Sequence, residues 1–203
     1  MSNLPSTAGY ANEADDLFKR YEARKAANIH KPWSHFFPSP PAHILDIGAG
    51  TGRDAAWFAS LGHQVTAVEP VDEMRLRAQK LHPEPEVSWL KDILPDLTHT
   101  KALNLRFDMI LMHAVWMHLT EDERISGMVN LAALLAPGGR IVMSLRHGPV
   151  PEGRRMFDVT SEETIALAGE NGLKNLFHER SESIAAENRA LAIEWTKLVF
   201  EKA

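Results

Sequence analysis

The chain has no cysteine among its 203 residues. That excludes disulfide staples, thiolate metal ligands and cysteine nucleophiles, and it fits a cytoplasmic setting. No metal is expected. No apolar run approaches the roughly 18–20 residues that a membrane-spanning helix requires, so no membrane partner is expected. The opening residues, Met1 to Thr7, lack a basic segment followed by an apolar one, and no secretory signal is expected. There is no basic block either: 22 Lys and Arg stand against 27 Asp and Glu, a net charge of −5. A nucleic-acid partner is therefore not expected, because neutralising phosphates needs a cationic face. Internal repeats and low-complexity segments are also lacking. What remains, 44% hydrophobic and 24% charged residues over this length, suits one globular domain with a sizeable core, as a monomer or homodimer.

The most informative stretch is Ile44-Leu45-Asp46-Ile47-Gly48-Ala49-Gly50-Thr51-Gly52-Arg53. It reads as a buried strand running into a glycine turn that opens a helix. Glycines at 48, 50 and 52 permit positive φ and let a ligand lie against bare backbone. The peptide N–H groups at the start of the helix are expected to point toward that ligand. Glu69 follows 17 positions after Gly52, at the end of the next apolar run. Such a pair grips the two ends of a nucleoside-bearing cofactor in an α/β sheet. The dinucleotide fingerprint G-x-G-x-x-G is not met: the third glycine comes one place early and Arg53 stands where glycine is needed.

The rest of the chain alternates strand and helix signals. Helical spacing predicts one amphipathic helix over residues 10–28. Four prolines break residues 31–41 into a linker or entry loop. Strands are expected at 43–47, 64–69, 87–91, 107–113 and 140–145. Helices are expected at 53–61, at 72–81 with Asp72 as its cap, at 121–135 behind the Thr120 to Glu123 capping pattern, and at 161–170. Pro137-Gly138-Gly139 is expected to turn the chain into the fifth strand, with a polar loop over 147–160. Runs at 173–179 and 191–201 have no helix-length crossover between them and should pair antiparallel. This alternation predicts a doubly wound, mostly parallel sheet with helices on both faces.

Five motifs in order resemble the Rossmann-like S-adenosylmethionine-dependent methyltransferases. Leu45 to Gly52 is similar to their first motif, and Val68-Glu69-Pro70 with Met74 to the second. Lys91-Asp92-Ile93 is similar to the third, Phe107 to Ile110 with His118 to the fourth, and Leu135 to Gly139 to the motif before strand five. The resemblance covers roughly residues 40–147 and looks most like the small-molecule members. It implies seven strands in the order 3-2-1-4-5-7-6 with strand seven antiparallel. It also implies an N-terminal helix and lid or linker over 1–41 ahead of a cofactor-binding domain over 42–203.

The resemblance further implies that Asp46 orders the turn and the amino end of S-adenosylmethionine, that Asp92 accepts from the adenine amino group, and that the Ile93 N–H donates to the ring. Glu69 offers two acceptor oxygens to ribose hydroxyls. Gly48, Ala49, Gly50, Gly52 and Arg53 complete the turn; Pro70, Val71 and Met74 wall the adenine, Met being adaptable in such contacts. His113 ends strand four, where its carbonyl is placed to receive the cofactor's ammonium.

Methyl transfer needs a general base only when the acceptor carries a proton, and the candidates are His113 and His147. His118 is expected instead to bridge backbone. Arg146, with Arg154 and Arg155 in the next loop, is placed to hold an anionic acceptor by forked hydrogen bonds. Trp116 is placed to stack a planar one, and Tyr10 and Tyr21 stand on the expected lid. The function expected is methylation of a small molecule at oxygen or nitrogen. The alternatives are a non-catalytic S-adenosylmethionine-binding module, a macromolecule methyltransferase, disfavoured by Met112-His113-Ala114-Val115 after strand four, and a nicotinamide oxidoreductase.

Overall fold

The computed structural model describes residues 5–203; the first residues of the expected lid and of the signal reading, 1–4, lie outside them. Seven strands form one sheet: β1 (His43–Ile47), β2 (Gln64–Val68), β3 (Val87–Leu90), β4 (Phe107–His113), β5 (Leu135–His147), β6 (Leu173–Glu182) and β7 (Glu194–Lys202). Their order is β3-β2-β1-β4-β5-β7-β6. The first five pair in parallel, and β7 runs antiparallel to both β5 and β6. The central strands are near-continuous apolar runs because helices cover both their faces. Ile44, Leu45, Ile110, Leu111, Ile141 and Val142 are all fully buried.

Eight α-helices surround the sheet: α1 (Ala14–Glu22), α2 (Ala26–His30), α3 (Arg53–Ser60), α4 (Asp72–Leu81), α5 (Thr98–Ala102), α6 (Glu121–Leu134), α7 (Ser161–Glu170) and α8 (Ala186–Ala190). The start of α6 carries the full capping box, with Thr120 and Glu123 each accepting from the other's backbone N–H. Among the described residues no helix is long and apolar enough to cross a membrane.

Three expectations need correction. The single helix over 10–28 is two, because Lys25 takes an extended conformation between them. Only α1 carries the amphipathic face, burying Leu17 and Phe18 against Met74 and Ala78 of α4. Asp72 does not cap α4; its carboxylate goes to Arg75 and Lys91 instead. Pro137-Gly138-Gly139 does not precede β5 but bulges out of it: Leu135 pairs with Phe107, and the register resumes with Arg140 opposite Met109. The link between β6 and β7 holds the five-residue α8, too short for a parallel crossover, and the two strands pair antiparallel as expected.

Candidate active site

Strand order reverses between β1 and β4, and an open α/β sheet binds its ligands at the carboxyl ends of the strands flanking such a point. A cavity of about 650 Å³ opens there. Its floor is the glycine turn and the ends of β1, β2, β4, β5 and β7, and its roof is the N-terminal segment from Ser6 to Trp33.

Within the glycine turn itself the N–H groups are engaged by protein acceptors. The N–H groups of Gly48 and Ala49 both bond to the Val68 carbonyl (2.8 and 3.0 Å), that of Gly50 to Glu69 (2.9 Å), and that of Gly52 to the Ala49 carbonyl (2.9 Å). The donors are spent on locking β1 to β2. What the turn presents is bare Cα surface. All three glycines have positive φ, and a Cβ on Gly48 or Gly52 would meet Val115 at 2.6 Å or Trp89 at 2.8 Å, whereas one on Gly50 would meet only the Gly48 carbonyl oxygen at 3.8 Å.

Carboxylates cluster at this end of the cavity. Glu69 is buried, with one oxygen accepting from the Gly50 N–H and the other from the Val71 N–H, each at 2.9 Å. Burial pushes its pKa up to about 7, opposed by those two bonds and by Arg75. Each oxygen keeps a lone pair for a ribose hydroxyl. Asp46 is buried 2% exposed, and its Oδ2 has no hydrogen-bond partner. Burial, with the nearby Asp54 and Glu69 charges, holds its pKa well above the usual carboxylate range. An orphaned buried acceptor is costly unless a donor reaches it, and an ammonium meets that need.

Asp92 is already occupied: Oδ2 accepts from the Thr100 N–H and hydroxyl (2.7 and 2.8 Å), and Oδ1 from the Ile93 N–H (3.0 Å). The Ile93 N–H expected to reach adenine is thus engaged. Both residues still border the cavity, with Pro70, Val71 and Met74.

Asp54, which the sequence reading passed over, is central. Arg53 grips it with two bonds (2.8 and 2.9 Å), and His30 Nε2 lies 3.3 Å from it. Although burial opposes it, the His30 and Arg53 partners drive its pKa far below the usual range. Arg53 also donates to the Tyr21 carbonyl, and Trp33 donates to His30 Nδ1 at 3.1 Å. One buried network therefore ties both roof helices to the start of α3. The only sequence signal was an acid in the first turn of a helix.

Of the two histidine candidates, His113 borders the cavity and His147 does not. Successive side chains of a strand point to opposite faces. Ser144 and Arg146 face the cavity, so His147 turns away with Leu145 and bonds Thr196 at 2.8 Å. His113 Nδ1 lies 3.3 Å from the Ser144 hydroxyl, and its ring lies near-parallel to Trp195. Burial pushes its pKa down to about 3, so the ring is neutral.

His118 bridges two elements. Its Nδ1 donates to the Arg155 carbonyl (2.6 Å), since a carbonyl only accepts, which leaves Nε2 to accept from the Tyr10 hydroxyl at 3.0 Å.

Trp116 is also corrected: it is fully buried in the core beneath α6, against Leu94 and Gly127, and is not part of the cavity wall. Trp195 and Trp33 take that wall instead. Tyr10, Tyr21, Arg146 and Arg154 all border the cavity. Arg154 clamps the roof, lying 3.6 Å over the Tyr10 ring and bonding Glu13 and the Ala8 carbonyl. Arg155 binds the His118 carbonyl and Glu123, so neither loop arginine is left for an acceptor.

Fold and cavity together are those of a Rossmann-like, doubly wound sheet with its ligand space at the switch point. Residues 44–139 match the family model described as a methyltransferase domain. An uncharacterized methyltransferase of Mycobacterium bovis is 32% identical over 111 residues, covering 52% of this chain and 54% of that protein. One of Bacillus pumilus is 23% identical over 145 residues, covering 68% and 59%. The aligned segments thus span about half the length of the curated relatives. Among solved structures, a TehB-like methyltransferase from Corynebacterium glutamicum shares the fold at TM-score 0.69 and 22% identity, covering 95% of this chain and 99% of that one. The 1,6-didemethyltoxoflavin-N1-methyltransferase of Burkholderia thailandensis shares it at TM-score 0.65 and 21% identity, covering 95% and 87%. Over residues 44–139, just under half of its length, the chain is similar to methyltransferase domains.

Proposed function

We propose that the whole protein methylates a small-molecule acceptor at oxygen or nitrogen. One observation carries this reading: the cavity extends past the glycine turn to the ends of β5 and β7 and is roofed by the protein's own N-terminal helices. A roofed space of about 650 Å³ lies in the range of small-molecule sites. It leaves no open face for a macromolecule, and its room beyond the turn favours an enzyme over a binding module. The didemethyltoxoflavin enzyme, whose structure contains both its acceptor and S-adenosylhomocysteine, is a precedent for a small acceptor on this fold. The division near residue 41 into roof and transferase core, and a monomeric or homodimeric state, belong to the same reading.

Bound S-adenosylmethionine supplies an activated methyl group on sulfur. Asp46 meets the amino-acid end through its unpartnered oxygen, and Glu69 accepts from the ribose hydroxyls. Asp92 and Ile93 border the adenine side with Pro70, Val71 and Met74. The roof helices, held by the Asp54 network and by the Arg154 clamp, exclude water and keep the acceptor in line, which supplies much of the acceleration in a displacement with an already activated donor. His113 is neutral and weakly basic, so it orients the acceptor rather than storing its proton.

Two measurements test this. Calorimetry is expected to give micromolar or tighter binding of S-adenosylhomocysteine and no heat with NAD; the reverse refutes the reading. Once an acceptor is found, His113→Asn is expected to slow turnover by less than about a hundredfold, below the range of a general base. A larger loss with an unchanged KM makes His113 the base.

A further inference from the structure

The distal half of the cavity carries a charge that the protein leaves unbalanced. Arg146 and Trp195 are register partners across the antiparallel β5–β7 pair, and Ser144 and Lys197 are the pair two residues further along. Partners in such a ladder project from the same face, and all four border the cavity. Of the other cations that border it, Arg53 is paired with Asp54, Arg154 with Glu13, Arg24 with Glu187 and Lys197 with Glu179, while the exposed Arg20 lies over the Tyr21 ring. Arg146 is half-buried and has no carboxylate partner among the described residues; the titratable groups that face it include Tyr10 and Tyr21 on the roof and His118. Burial lowers the proton affinity of its guanidinium, as expected for a cation taken from water without a counter-ion.

The acids do not reach it. Asp46, Asp54, Glu69 and Asp92 all stand at the glycine-turn half, and Glu182 is exposed at the rim. Beside Arg146 the wall carries a ring stack: Trp195 and His113 are 14° from parallel with centroids 5.8 Å apart. At the mouth, Val150, Ile184 and Leu191 are half or more exposed, at 50%, 69% and 60%, an apolar entrance that a charged polar metabolite does not need.

We infer that the acceptor is a planar aromatic carboxylate, its ring against Trp195 and His113 and its anionic group on the Arg146 guanidinium. A guanidinium is a planar fork that matches a carboxylate with two parallel hydrogen bonds. Ring against indole adds a contact that neutral and anionic acceptors share, so Arg146 alone sets the charge preference. This inference rests on the distal half being the acceptor chamber of the proposed methyltransferase.

The test uses the protein saturated with S-adenosylhomocysteine, wild type and Arg146→Met, titrated calorimetrically with salicylate, indole-3-carboxylate and quinoline-2-carboxylate and with their three primary amides. At least one carboxylate is expected to bind wild type about tenfold or more tighter than its amide, the size of a charge-assisted pair. In Arg146→Met the preference is expected to shrink to within about threefold, because the neutral thioether makes neither bond. The S-adenosylhomocysteine titration reports that the variant is folded. Should folding fail, Arg146→Lys serves, with a weakened but surviving preference expected from a point charge without the fork. Equal affinity for acid and amide in wild type, no binding of any carboxylate, or an undiminished preference in Arg146→Met overturns the inference while leaving the methyltransferase reading intact. Failure of wild type to bind S-adenosylhomocysteine removes that reading and this inference with it.

Discussion

Glu69 offers a sharp test of the cofactor end. Its carboxyl is buried, and its pKa is raised from 4.5 to about 7. Ribose hydroxyls need an acceptor, and the ionised form offers two oxygens where the acid offers fewer and must place a proton. Binding therefore draws on the ionised fraction of the free protein. That fraction is close to full at pH 8 and about 3% at pH 5.5, so apparent affinity for S-adenosylhomocysteine is expected to fall about thirtyfold, or ~2 kcal/mol, across that window. The sign follows from the raised pKa: affinity climbs as pH rises toward 7 and levels above it. His113, with a pKa of about 3, does not titrate in this window. Asp46 is also raised by burial, so Glu69→Gln isolates the Glu69 effect. That variant is expected to bind about 10- to 100-fold more weakly at pH 8, by loss of charge-assisted hydrogen bonds, and to lose most of the slope. Calorimetry at four pH values, paired with Asp46→Asn, separates the two groups. A flat wild-type profile, or an unchanged slope in Glu69→Gln, refutes the assignment. The same burial makes the ligand-free fold lose stability as pH rises from 4.5 to about 7, because the folded chain holds this proton more tightly than the unfolded one.

Three further outcomes can be measured by urea unfolding. Asp54→Asn removes the shared partner of Arg53 and His30 inside a buried network, so a loss of about 3–5 kcal/mol is expected; less than about 1 kcal/mol would show the network to be dispensable. Thr120→Ala deletes the cap that accepts from Glu123, and a loss of about 1 kcal/mol is expected without change in S-adenosylhomocysteine affinity. Gly52→Ala forces a Cβ to within 2.8 Å of Trp89 at a φ of +83; it should cost about 1–3 kcal/mol or more, and a variant as stable as wild type would mean that the turn relaxes freely.

The parallel core was legible from residue order because its signals are local. Apolar runs at 43–47 and 107–113 can only be strands buried on both faces. Gly48, Gly50 and Gly52 between such a strand and a helix mark a turn that other residues cannot take. Glu69 and Asp46 could be placed at strand ends for the same reason, from their distance to the turn along the chain. The break between α1 and α2 was not legible, because the helical pattern continues through it and only packing of α2 against α3 decides where the chain bends.

The remaining features were decided by pairing across the sheet. Arg146 and His147 are adjacent in sequence, and either phase of β5 buries its apolar neighbours, so the sequence holds no information about which one faces the ligand. The register with Trp195, some fifty residues on, fixes that choice. It also brings Trp195 to the wall that Trp116 was expected to occupy. Arg154 was expected to hold an anionic acceptor, but Glu13 and Ala8, far away in sequence, turn it into a roof clamp. Backbone chemistry specifies strands, turns and caps because it acts over a few residues; the identity of each side chain's partner is set only when distant segments meet, and in this protein that is what separates a balanced charge from the one at Arg146 that awaits an anion.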